Sequence, residues 1–218
     1  MLSESVISEY LNLMNKIKIG NVEITEPRQI VYDILKYKDS GTVLDLGAGY
    51  GRHSLFLAHK GFKVTAVEED EKALESLKIR ANTLGVEIAT AHKDIKDFES
   101  DRKYDVVIAT MVLHFLNQNE VQDMLKKMQS WTAKGGINVV CAYTDQNIAK
   151  LRPYLFKVGE LKEDYSGWEI LEYGETWGDP LTKETLEYEK SLGLLVESIQ
   201  ENEEIKRRHT ARLIARKI

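Results

Sequence analysis

The residues most able to do chemistry lie in one run, Val43-Leu44-Asp45-Leu46-Gly47-Ala48-Gly49-Tyr50-Gly51-Arg52. A short apolar strand, Thr42–Leu46, feeds a glycine loop that opens a helix, which is the setting a nucleotide-binding loop needs. Glycines there let the chain turn tightly and let ligand atoms approach bare backbone. A purely structural turn uses glycines for the same reason. Spacing narrows the ligand. A dinucleotide fingerprint would put its third glycine at position 52, where helix–strand packing excludes a side chain. Here position 52 is Arg52 and the third glycine is Gly51. No Gly-Lys-Ser/Thr follows, so a phosphate-binding P-loop is excluded too. The loop suits a nucleoside-type ligand without a pyrophosphate.

Two acids extend this site. Glu68 ends the next strand, about 20 residues past the loop, where a carboxylate accepts hydrogen bonds from ribose hydroxyls. It also starts the run Glu68-Glu69-Asp70-Glu71, which as a solvated cluster favours a helix N-terminus, with Asp70 as N-cap. Asp94, in His92-Lys93-Asp94-Ile95, is placed to accept from an adenine amino group while Ile95 packs on the ring; the alternative is an ordinary loop acid. With Asp45 closing the first strand and Arg52 opening the helix, the candidate cofactor set is Asp45, Gly47, Gly49, Gly51, Arg52, Glu68, Asp94 and Ile95. No metal site is expected. Of the histidines, His53 and His59 read as surface or capping residues and His92 as a flank of the pocket. His114, just past a strand, faces the substrate side as a catalytic candidate. Cys141 sits in an apolar strand and reads as a buried small hydrophobe. Trp168 and Trp177 read as packing residues.

The elements that must hold these residues alternate in period. Val6, Ile7, Tyr10, Leu11 and Met14 suggest a helix over 1–19, and Pro27 opens a second helix through Leu35. Short apolar runs at 42–46, 62–67, 86–91, 104–110 and 137–143 read as strands, separated by helices at 52–60, 74–84 and 121–131. The last of these helices stops around Gly135-Gly136. Strands near 168–173 and 207–218 follow, with 182–200 ambiguous but helical in pattern. Strands alternating with helices imply parallel βαβ units, hence an α/β, Rossmann-like doubly wound sheet of about seven strands. One domain suffices: a helical N-terminal segment (1–40), a cofactor-binding core (41–143) and a substrate-side remainder (144–218).

Bulk properties limit the partners. A net charge of −5 argues against a nucleic-acid binder held by phosphate contacts. With one cysteine no intrachain disulfide forms, and a reducing, cytoplasmic compartment is expected. The opening MLSESVISEY has no basic region of a signal peptide, and no apolar run nears the roughly 20 residues of a membrane span.

At the glycine loop the chain resembles class I S-adenosylmethionine (SAM)-dependent methyltransferases. More narrowly it resembles the tellurite-resistance methyltransferase (TehB) family. The similar stretches are Leu44–Ala58 and Tyr104–Leu116, then Phe156–Leu161, Tyr165–Glu169 and Ala211–Lys217. The resemblance implies SAM as cofactor, an antiparallel final strand, and a small-molecule methyl acceptor such as tellurite or selenite. It carries the cofactor positions onto Gly47, Gly49, Arg52, Glu68, Asp94, Ile95 and Thr110. This chain has Ala48 where members usually have Cys, and Glu68 where they have Asp. Leu181-Thr182 stand where the family has a His-Arg pair implicated in handling the oxyanion. If the final strand is antiparallel, its start lies at the ligand end of the sheet, making Arg207, Arg208 and His209 substrate-side candidates. Methyl transfer needs alignment above all, and a general base only for a protonated acceptor. Other small acceptors (thiol, amine or carboxylate) and a non-catalytic SAM binder are the alternatives.

Overall fold

The computed structural model describes residues 15–147, 152–178 and 208–218. The described chain begins with a two-stranded antiparallel hairpin, β1 (Lys16–Ile19) and β2 (Val22–Thr25), and not with the end of a helix. Ile17, Ile19, Val22 and Ile24 alternate with polar residues, and the two-residue loop Gly20-Asn21 supplies the left-handed backbone (φ 54° at Gly20) that such hairpins need. The expected helical segment over 1–40 is thus replaced, from residue 15, by this hairpin and a short helix, α1 (Gln29–Asp33), which a 3-10 turn over 34–36 extends.

The remainder follows the expected rhythm: β3 (Thr42–Leu46), α2 (Arg52–His59), β4 (Lys63–Glu68), α3 (Glu71–Leu84), β5 (Ile88–His92), β6 (Tyr104–Thr110), α4 (Gln118–Trp131) and β7 (Thr132–Tyr143). After it come a single turn, α5 (Glu160–Glu163), then β8 (Glu169–Trp177) and β9 (His209–Arg216). Seven strands form one sheet in the order β5-β4-β3-β6-β7-β9-β8. The pairings from β5 to β7 are parallel, and β9 runs antiparallel to both β7 and β8. The inferred antiparallel final strand is therefore present. The helical pattern read in 182–200, Leu181-Thr182 and Arg207 lie outside the described residues.

Helix ends follow local chemistry. The Asp70 side chain accepts from the amides of Lys72 and Ala73, and Gly85 closes α3 in the left-handed conformation. Asn117 and Glu120 form a reciprocal capping box on α4. Contrary to expectation, Gly135-Gly136 lie inside β7, four residues and more past the end of α4 at Trp131. They form an irregularity where the β6–β7 register shifts, with Gly135 at φ 74° and its amide donating to the Lys217 carbonyl at 2.9 Å.

Each face of the sheet buries its own core. On one side Val107, Ala109, Val140 and Leu213 pack under Met124, Leu125 and Met128 of α4, with Phe156 and Tyr165. On the other, Val43, Val106, Ile108 and Val139 meet α1, α2 and the hairpin. One polar contact crosses the first core: fully buried Asn138 donates through Nδ2 to the Tyr165 hydroxyl at 2.9 Å. Tyr165→Phe leaves that donor unpaired and is expected to cost about 1–3 kcal/mol in urea unfolding. An unchanged midpoint would show that the bond contributes nothing.

Candidate functional site

The C-terminal ends of β3, β4, β5 and β6 form one edge, where open α/β sheets place their ligands. From β3 the chain turns through Gly47, Gly49 and Gly51, all left-handed at φ 67°, 54° and 81°. Gly47 and Ala48 donate to the Val67 carbonyl at 2.9 and 3.0 Å, stitching the loop to the end of β4. Glu68 completes the stitch. Its Oε2 accepts from the Gly49 amide at 2.8 Å, while Oε1 accepts from Glu69 and Asp70 at 2.9 and 3.0 Å. The carboxylate that reads as a ribose acceptor thus also orders the glycine loop. A Cβ built on Gly49 meets nothing within 4 Å, so the backbone there is bare on that side. At Gly47 it would lie 2.4 Å from Val112 Cγ2, and at Gly51 2.5 Å from Leu77 Cδ1.

Asp45 lies beneath the loop, buried, with Oδ2 accepting from the Ser54 hydroxyl at 2.7 Å. Burial pushes its carboxyl up to about 6, against the opposing pull of Ser54 and the Arg52 charge. On the next strand end, Asp94 caps the 3-10 turn over 95–97 through the Lys96 amide at 3.0 Å, and its Oδ2 meets Lys96 Nζ at 3.1 Å. Ile95 beside it is buried. His92 bridges to the Glu69 carbonyl at 2.9 Å, so β5 and β4 are tied at the site.

At the end of β6, Thr110 Oγ1 lies 3.0 Å from His53 Nδ1, and His53 Nε2 accepts a long bond (3.5 Å) from the Arg28 amide. His53 is buried, not a surface or capping residue, and burial holds it well below the usual imidazole range. The reason is that α2 is enclosed on almost every side: residues 53–58 are all buried. Met111 follows at φ 58°, the one non-glycine residue with positive φ among those described, held by its amide's bond to the Cys141 carbonyl at 2.7 Å. Cys141 is buried, as expected.

His114 lies in a 3-10 turn over 113–115, only 3% exposed, its ring 4.4 Å from that of Phe115 and 4.7 Å from that of Tyr143. Burial first, then the charges of Arg152 and Arg28, push it down to about 3. Its Nδ1 and the Nε of Arg28 are both buried without a hydrogen-bond partner. Arg152 stacks on the other neighbour, its Cζ 4.7 Å from the Phe115 ring centroid.

His209 opens β9 next to the end of β7, with Nδ1 2.6 Å from Thr144 Oγ1 and its ring 5.0 Å from Trp177. Its amide donates to Asn147 Oδ1 at 3.1 Å, and the Arg208 carbonyl accepts from Gly178 at 2.9 Å. His114 and His209 therefore flank the end of β7 through Tyr143 and Thr144. Trp168 packs against the core with its ring 5.4 Å from that of Tyr165, as expected, whereas Trp177 is 38% exposed beside His209. Spacing in the sequence does not single out Arg28, His53 or Arg152 as site residues. Nothing in an isolated Glu26-Pro27-Arg28 or Leu151-Arg152-Pro153 signals convergence on β6, since only the fold brings 28, 114 and 152 together. Among the described residues no group of His, Cys, Asp and Glu has the arrangement to hold a metal, and no helix is long and apolar enough to cross a membrane.

The family model for the tellurite resistance protein TehB matches residues 17–188. A probable S-adenosyl-L-methionine-dependent methyltransferase TehB from Haemophilus influenzae (strain 10810) is 36% identical over 152 residues, covering 68% of this chain and 53% of the relative. The chain thus spans about half the length of the curated relatives it matches. The crystal structure of TehB from Haemophilus influenzae aligns with a TM-score of 0.73 at 31% identity, over 88% of this chain and 63% of that one. The N-methyltransferase NodS from Bradyrhizobium japonicum WM9, in complex with S-adenosyl-L-homocysteine, aligns with a TM-score of 0.63 at 14% identity, over 86% of this chain and 84% of that one. That likeness is one of fold. A mostly parallel Rossmann-like sheet, the glycine loop at its switch point and these matches lead to one statement: the chain belongs to the TehB tellurite resistance protein family.

Proposed function

We propose that this protein is a SAM-dependent methyltransferase acting on a small-molecule acceptor, with a chalcogen oxyanion such as tellurite or selenite as the acceptor its family suggests. The observation that carries the reading is the unit formed by the glycine loop and Glu68, in which one carboxylate orders the Gly49 amide beside bare backbone. In this reading the Gly47–Gly51 backbone receives the cofactor's amino-acid end and Glu68 the ribose hydroxyls. Asp94 takes the adenine amino group and Ile95 packs on the ring. Asp45 and Arg52 support the loop from below, and Thr110 borders the methyl end. Bound SAM supplies an electrophilic methyl group on a positively charged sulfur. The protein's own part is to align an acceptor with it, exclude water, and keep the loop in one conformation. A second reading, methylation of a different small acceptor, is favoured by Leu181-Thr182 standing where the family has its His-Arg pair. We place the protein in the cytoplasm, where its buried lone thiol needs no oxidised partner.

Titration calorimetry tests the cofactor, and S-adenosylhomocysteine formation across selenite, tellurite, thiol, amine and carboxylate acceptors tests the reaction. Glu68→Ala should weaken SAM binding about tenfold or more, because a hydrogen bond to a charged group contributes roughly 1.5–3 kcal/mol. Asp94→Ala should weaken it less, since that carboxylate already meets Lys96. Heat on NAD addition with none on SAM would sink the proposal.

A further inference from the structure

Two buried polar atoms near the end of β6 have no hydrogen-bond partner, Nδ1 of His114 and Nε of Arg28. Leaving such atoms unpaired in the interior is costly, so folded proteins rarely keep them without a use. They are also close in structure. The Arg28 amide reaches His53, His53 reaches Thr110, and the turn that bears His114 begins three residues later. Arg152 arrives from the other side of the molecule's sequence and lies over Phe115, whose ring packs on His114. Among the described residues neither Arg28 nor Arg152 forms a salt bridge, although the chain as a whole has 35 acids to 30 basic residues. Two guanidinium groups without carboxylates therefore lie within electrostatic reach of one enclosed imidazole. Guanidinium is the side chain best matched to anionic oxygens, through paired N–H donors in a fixed fork.

We propose that Arg28, Arg152 and His114 form the acceptor-recognition site, and that it takes an acceptor bearing negatively charged oxygens. This inference rests on the methyltransferase reading above. The arginines supply charge and N–H donors, and His114 supplies one uncharged hydrogen-bonding nitrogen that fixes orientation. Its ring is locked by Phe115 and Tyr143, so it positions the acceptor. Burial first, and then the two cations, hold the imidazole neutral, so it serves as an uncharged partner beside the arginines. Such oxygens come either from an inorganic oxyanion or from the carboxylate of an organic acceptor. Neutral thiols and amines are not accepted.

The test is NMR titration of the His114 ring resonances, assigned with His114→Gln, in the whole protein with and without S-adenosylhomocysteine. Selenite is the inorganic probe, mercaptoacetate the carboxylate probe and 2-mercaptoethanol the neutral control. Saturable shifts are expected with selenite or mercaptoacetate, and whichever binds tells the source of the oxygens. The neutral thiol should give none. Arg152→Gln and Arg28→Gln should each weaken the anion about tenfold or more while S-adenosylhomocysteine binds as before. Arg28→Lys, which keeps the charge but loses the fork, guards against misfolding of the glutamine variant and should also bind weakly. Failure of both anions to shift His114, or equal binding by the parent and all three arginine variants, overturns the site. Loss of S-adenosylhomocysteine binding in the parent overturns the methyltransferase reading instead, and the anion titration without it remains readable.

Discussion

Gly51→Ala is expected to destabilise the protein by roughly 2–5 kcal/mol, whereas Gly49→Ala should leave it folded and cripple its cofactor affinity. The two glycines share a left-handed backbone, at φ 81° and 54°. An L-residue pays roughly 1–2 kcal/mol for that conformation, so each substitution carries the same first cost. The second cost differs. A methyl at Gly51 would sit 2.5 Å from Leu77 Cδ1 and 2.6 Å from its Cγ, and Leu77 is fully buried on α3. It has little room to retreat, and overpacking a filled core adds roughly 1–3 kcal/mol. Gly47→Ala belongs with Gly51, because Val112 Cγ2 would be 2.4 Å away. At Gly49 a methyl meets no protein atom within 4 Å. It projects instead from the bare side of the loop, where the proposal puts the cofactor. Urea unfolding and SAM calorimetry on the three variants separate these effects. Parent-like SAM affinity in a folded Gly49→Ala protein would show that this stretch of backbone does not face the cofactor.

The same loop shows why some of the molecule was legible from residues alone. Parallel strands buried on both faces, such as Val106–Ala109, stand out as unbroken apolar runs, and the alternation of such runs with helices sets the sheet. Glycine spacing works because left-handed turns and close contacts exclude other residues, here at Gly47 and Gly51. One expectation fails against a local signal, and the others depend on tertiary context. The helical spacing of apolar residues does not continue through Lys16–Ile19, where the period becomes alternating and Gly20-Asn21 marks a hairpin turn. Gly135-Gly136 looked like a helix stop, yet they accommodate a strand irregularity pinned by Lys217, over 80 residues away. His53 reads as a surface or capping residue in sequence because one helix face is normally solvated. Helix α2 has no such face over residues 53–58. The convergence of Arg28, His114 and Arg152 has no local signature at all, since it is made by the ends of three separate connections.

Stability should fall as the pH drops below about 6.5, and His114→Phe should remove much of that fall. In the unfolded chain a histidine takes up its proton near pH 6.5. The folded protein resists, because burial pushes His114 down to about 3 and holds His53 well below its ordinary value. On these two sites the unfolded state therefore binds more protons between those limits, which lowers the stability of the fold as acid is added. Asp45 acts in the opposite sense. Burial raises its folded value to about 6, against 3.8 as its ordinary value, so between these two pH values the fold binds the extra proton. In that window the proton that His114 refuses offsets the one that Asp45 takes up, and His53 adds to the fall in the same direction as His114. His114→Phe should make the fall with acid shallower, while Asp45→Asn should make it steeper. Phenylalanine also fits the stack between Phe115 and Tyr143 and deletes the unpaired Nδ1, so the variant should be the more stable protein even at neutral pH. Urea unfolding of the three proteins at about pH 7.5, 6, 5 and 4.5 gives the slopes. Comparison with the parent cancels what the other acids contribute. If His114→Phe runs parallel to the parent, the imidazole is not held neutral in the fold. If it is more stable but no longer binds selenite in titration calorimetry where the parent does, the unpaired nitrogen is a cost the fold carries for its acceptor site.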